Sequence, residues 1–371
     1  MPGLSGNLAA PAPSPIPFVA LPNDTDTERR FAPLYAWADP AWIGDPDTGG
    51  GNSRGCAWSP DGRFLAVIQV TAPPLMVYER NGTTLTKLDD PLPLPPGSNG
   101  CAWSPDGRFL AIAHVNEPHL SVYERDGTTL TKLDDPATPV GAAPAAYGCA
   151  WSPDGRFLAV VYDASPYLSV YKRDGTTLVA KLDDPATPPV GIGRGCAWSP
   201  DGRFLAVAHS TSPYLSVYER NRETLTKLDD PETLPTGTGH GCAWSPDGRF
   251  LAVAHGGSPY LSVYERDRET LTKLDDPETI PPGTGTGCTW SPDGRFLAVA
   301  HGGSPYLSVY ERDRETLTKL DDPETIPPGT GSGCAWSPDE RFLAVVFSSS
   351  PGVMVYETQA VPRVQGMTYP T

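Results

Sequence analysis

One unit of about 46 residues recurs along most of the chain. Seven cysteines mark it: Cys56, Cys101, Cys149, Cys196, Cys242, Cys288 and Cys334, spaced by 45, 48, 47, 46, 46 and 46 residues. Such a period decides the architecture before any single element does. Each copy is one supersecondary unit that cannot bury its apolar faces alone, so copies must stack. The fifth copy, from Cys242, reads CAWSPDGRFLAVAHGGSPYLSVYERDRETLTKLDDPETIPPGTGTG. The sixth departs from it at two positions, Thr289 for Ala243 and Ser332 for Thr286. That closeness points to recent duplication, so recurrence of a residue is not in itself a sign of function.

Each unit divides into four short extended segments. CAWS comes first and is closed by SPDG, a hairpin signal in which glycine supplies the positive φ that the turn needs. RFLAVAH is the second, a continuous aliphatic run. YLSVYE and TLTKLDD alternate apolar with small or polar residues at the period of a strand. A Pro/Gly-rich connector then leads to the next cysteine. No segment sustains a helical period, and proline and glycine punctuate every copy.

Four strands per unit of this length predict an all-β, seven-bladed β-propeller with four-stranded antiparallel blades, in which stacking and ring closure remove the open ends. The run AWSPDGRFLAVAH resembles the first hairpin of a WD40 repeat, and SVYE stands where that family has Trp-Asp; the resemblance covers about residues 30–357. It implies the propeller fold. The family's Gly-His pair is absent, Asp-Asp-Pro standing in the connector, and Tyr-Glu replaces Trp-Asp. The family's buried His–Asp–Trp network is therefore not transferred. Near-identical blades also resemble the adhesion or decoration propellers of some phages.

The seventh unit stops after its third strand, near Glu357. The missing segment stands before the first unit, where Leu34-Tyr35-Ala36-Trp37-Ala38-Asp39-Pro40 aligns with LTKLDDP. Residues 33–39 are thus expected to supply the outer strand of the last blade, a velcro closure with Leu34, Tyr35 and Trp37 at the seam and Trp42 beside it. The predicted organisation is an N-terminal arm (1–29), the propeller (30–357) and a C-terminal tail (358–371). The arms are either disordered or ordered by docking on a neighbouring subunit or a larger assembly.

A chain of 371 residues buries enough surface to need no staple, and seven cysteines at one equivalent position make a poor disulfide framework. They read as small buried hydrophobes. The formal charge of −16 argues against nucleic acid and anionic membranes. The first residues lack the basic start of a signal peptide, and no apolar run is long enough to span a bilayer. The expected setting is a soluble protein in a reducing cytoplasm, with incorporation into a virion as an extension of the phage resemblance.

One face should collect the loops between second and third strands together with the connectors, and the other the SPDGR and ERDRET turns. The first carries the candidate binding residues. Tyr167, Tyr214, Tyr260 and Tyr306 are loop aromatics able to anchor a protein partner or stack on a sugar. His114, His209, His255 and His301 end the second strand in four blades; their symmetric recurrence favours a strand-end hydrogen bond to a neighbouring Asp over catalysis or metal binding. The Asp-Asp pairs, such as Asp229 and Asp230, project to opposite sides of a strand and do not converge. Arginines after the turns, such as Arg63 and Arg80, are expected in surface ion pairs of little weight. The tryptophans and strand tyrosines should pack between blades. No catalytic, cofactor or metal motif is present, and every polar constellation repeats, whereas an active site is one asymmetric cluster. The sequence therefore predicts a non-catalytic protein-interaction or assembly propeller without cofactor or metal, binding protein through its N-terminal arm and one face. The alternative is a lectin-like adhesin with repeated glycan sites.

Overall fold

The computed structural model describes residues 51–95, 97–136 and 145–358. All regular structure among them is β. The first unit shows the pattern, with strands at Ser53–Trp58, Phe64–Gln69, Leu75–Asn81 and Thr84–Lys87 paired antiparallel in sequence order. Six units form four-stranded sheets in this way; the seventh shows three strands among the described residues, ending with Val353–Glu357. The expected closing strand, with Leu34, Tyr35, Trp37 and Trp42, lies outside the described residues. So do the N-terminal arm and all but the first residue of the C-terminal tail.

The first strands of successive blades lie side by side all the way round, and that of blade seven, Gly331–Trp336, meets that of blade one. This closes the ring. Seven apolar clusters fill the seven interfaces between neighbouring blades. At the closing interface Trp58, Met76 and Tyr78 of blade one pack on Phe342, Val353 and Val355 of blade seven. Second-strand residues such as Phe204–Ala208 are fully buried because both faces of each sheet are covered. This explains why RFLAVAH reads as a continuous apolar run.

The turn sequence builds its own geometry. In SPDG the buried Ser59 hydroxyl bonds Asp61 Oδ1 at 2.5 Å and accepts from the Phe64 amide at 2.9 Å, while Gly62 adopts φ 66°. Glu340 stands at the equivalent place in blade seven with φ 62°.

At the axis, neighbouring first strands approach most closely at the glycines before Cys101 and Cys196, where a side chain would clash with the next strand's backbone. A Cβ on Gly195 would lie 2.9 Å from the His240 carbonyl, and one on Gly100 equally close to that of Tyr147.

Candidate functional site

The residue preceding the glycine before each cysteine is Arg54, Asn99, Tyr147, Arg194, His240, Thr286 or Ser332. Its identity changes from blade to blade, with six residue types in seven copies. In all seven blades the pairing of first with second strand skips this residue, as between Ser53 and Gly55 or between Gly239 and Gly241. The skipped residue is the extra one of a β-bulge, a device that re-aims a side chain away from the ladder. All seven side chains line a cavity of about 320 Å³ at the axis.

Within this ring some groups are committed and others are not. Asn99 Nδ2 donates to the Ala146 carbonyl at 2.8 Å, and Thr286 Oγ1 bridges to Ala300 and Gly331. Arg194 stacks over the Tyr147 ring at 5.0 Å, and its buried Nε has no hydrogen-bond partner among the described residues. His240 has its pKa lowered, first by burial and then by Arg194, which keeps it neutral. The sequence held one hint of this ring: of the two differences between the nearly identical fifth and sixth copies, one is Thr286 against Ser332.

The tyrosine loops adjoin the same mouth. A Cβ on Gly239, beside His240, would meet the Tyr214 carbonyl at 2.4 Å. Tyr167, Tyr214, Tyr260 and Tyr306 are half-buried and hold φ between 63° and 70°, a region unfavourable to any residue but glycine. Gly352 occupies the place in blade seven, and a buried His119 in blade two.

The histidines do not belong to this face. His114, His209, His255 and His301 are fully buried, each Nε2 lying 3.0 Å from a serine hydroxyl on the adjacent third strand: Ser121, Ser216, Ser262 and Ser308. The partner is thus serine, not aspartate. Burial lowers their pKa to about 4. A neutral, enclosed imidazole cannot greet a partner at the surface, so the histidines are withdrawn from the candidate binding set.

The second aspartate of each Asp-Asp step is held by the lysine three residues before it, as Asp90 by Lys87 at 2.8 Å. No metal-binding cluster occurs among the described residues. The cysteine thiols are free, as Cys149, whose Sγ points to the Ala111 carbonyl of the neighbouring blade.

The arginines divide into two kinds. Arg63 makes the expected pair with Glu79, and five of its equivalents do likewise; Arg156, where Lys172 replaces the glutamate, has none among the described residues. Those ending the third strand do more. The Arg173 guanidinium lies over Phe109 of the preceding blade at 4.7 Å and over Trp151 of its own blade at 5.6 Å. Its Nε donates to the Gly155 carbonyl at 2.8 Å, and its outer nitrogens reach Asp106 of the preceding blade at 3.2 Å. Arg80, Arg125 and Arg220 repeat the arrangement. Each clasps two blades, a role that the repeat pattern concealed because both partners are distant in sequence.

No protein-family model and no curated protein matches the chain. Solved structures do. The Cps50 (Swd1) β-propeller domain of Myceliophteria thermophila is 15% identical, with a TM-score of 0.64, over 84% of this chain and 98% of that one. A chain of the Mitotic Checkpoint Complex is 17% identical, TM-score 0.62, over 96% and 100%. A chain of Kuenenia stuttgartiensis hydrazine synthase is 18% identical, TM-score 0.63, over 84% and 97%. The shared fold is the β-propeller. At these identities the likeness concerns architecture alone, and propellers of this shape serve both in assemblies and in an enzyme. The phage resemblance finds no support among these three. No helix among the described residues is long and apolar enough to cross a membrane.

Proposed function

We propose that this propeller is a non-catalytic interaction protein whose partner docks on the face where the tyrosine loops surround the channel mouth. The carrying observation is the backbone of those loops. A tyrosine at φ near 65° costs about 1–2 kcal/mol that glycine would avoid, and blade seven shows that the loop accepts glycine there. Strain retained in four blades while its relief is one substitution away fits rings kept for contact. Two of the structural neighbours, a Swd1 propeller domain and a chain of the Mitotic Checkpoint Complex, are consistent with such a role.

The test is a variant with Tyr167, Tyr214, Tyr260 and Tyr306 replaced by glycine. Relief of strain offsets part of the half-buried ring contact that is lost, so the variant should remain folded and should lose a stoichiometric partner captured from the native source. Full capture by the folded variant would refute the reading. The same repeated rings also suit stacking on sugars, with multivalency raising weak single-site affinity. Glycan-array binding that disappears in the variant, without loss of a protein partner, would favour an adhesin. Assembly through the arm is tested separately: deleting residues 1–29 should release the protein from its complex, in a virion or elsewhere, while leaving the propeller folded.

A further inference from the structure

We propose that the channel mouth is a binding site for an oxyanion, a carboxylate or phosphate group held between Arg54 and Arg194. It goes beyond the docking face, because it assigns chemistry to the non-repeating ring and does not depend on the tyrosines.

Four observations carry it. First, this acidic chain, with 44 Asp and Glu against 28 Lys and Arg, places no carboxylate among the described residues lining the cavity. Second, both arginines there lack an ion pair among the described residues, whereas every third-strand arginine has one across to the preceding blade, as Arg173 with Asp106. Third, Arg194 carries a buried Nε with no partner. A donor out of water without an acceptor is costly, and a bound oxyanion is the acceptor that a guanidinium fits best. Fourth, neutral His240, the Tyr147 hydroxyl and Ser332 supply uncharged hydrogen-bonding groups around the same space. The bulges bring all of these residues to the lining of one cavity, and Arg194 is further held by its contact with the Tyr147 ring.

The overall charge of −16 opposes an anion only at a distance. At physiological ionic strength its field is screened within about 8 Å, and inside the mouth the nearest charges are the two guanidinia. A cavity of about 320 Å³ sits at the lower limit of small-ligand pockets. It suits one small anion or one acidic side chain inserted from a docked partner.

Isothermal titration of the full chain at fixed ionic strength tests the site with pyrophosphate, citrate and a hexaglutamate peptide. Saturable one-to-one binding with Kd of about 1 mM or tighter is expected for at least one of them. R54M and R194M should each weaken it by about tenfold or more. R268M, which removes the same charge from an outer turn, should leave it unchanged. R54K and R194K should retain more affinity than the methionine variants, and they keep the test decisive if a methionine variant fails to fold. Binding of pyrophosphate or citrate identifies a free anion as the ligand; binding of hexaglutamate alone identifies an acidic side chain. No saturable binding of any probe, or binding that R54M and R194M leave intact, overturns the proposal.

Discussion

Replacing Arg173 by methionine tests whether the third-strand arginines hold the blades together. The apolar stem is kept and the guanidinium removed. The Gly155 carbonyl then loses a charge-assisted bond of 2.8 Å, worth about 1.5–3 kcal/mol. Cation–π contact with Phe109 and Trp151 adds about 0.5–1 kcal/mol each. The ion pair with Asp106, whose side chain is 46% exposed, adds at most about 1 kcal/mol. Since such contributions overlap, the expected loss is about 2–4 kcal/mol. With an unfolding entropy of roughly 2 cal/mol/K per residue, a domain of this size should melt about 3–6 °C lower. Calorimetry on R173M, D106N and the double variant is the assay. If stacking and the carbonyl bond dominate, R173M costs nearly as much in the D106N background as in the parent. A loss below about 1 kcal/mol would refute the clasp. A coupling above about 2 kcal/mol between the two sites would assign the effect to the ion pair instead.

Three further outcomes follow from the same structure. E340G removes a side chain from φ 62° and should raise the melting temperature by about 1–2 °C; an unchanged or lower value would contradict the strain. The pKa values of His114, His209, His255 and His301 are lowered by burial to about 4 from 6.5, so the unfolded chain binds more protons between those values. Their contribution to stability is fully present above pH 6.5 and declines as pH falls toward 4, by up to about 1.4 kcal/mol per pH unit for each. Replacing all four by glutamine, the residue of blade one at Gln69, should flatten melting temperature against pH in that window; an unaltered profile would exclude them as its cause. Burial raises the thiol pKa of Cys56, Cys149 and Cys242 to about 12 and that of the other four likewise upward. Ellman's reagent at pH 8 should therefore find no reactive thiol in the native protein and seven after denaturation.

The repeat alone determined that this chain forms seven blades of short antiparallel strands. Period, turn residues and alternation are local signals, and an apolar run such as RFLAVAH has only one way to be covered twice. The turn's own residues likewise impose a positive φ at its fourth position, and Glu340 adopts it in blade seven. Tertiary structure decided what local pattern could not express. The histidines looked like loop-face residues until the depth of the second strand enclosed them against serines on the adjacent strand. Arg80 and Arg173 looked like surface charges until ring stacking laid them over aromatics from two blades. The channel ring is hidden in the sequence because the residue before each glycine changes from blade to blade and so carries no repeat signal. That site gained its meaning only when seven bulges from seven separate segments turned Arg54, Tyr147, Arg194, His240 and their counterparts toward a single axis, since a convergence of residues spread over 279 positions is a property of closure and not of any local stretch.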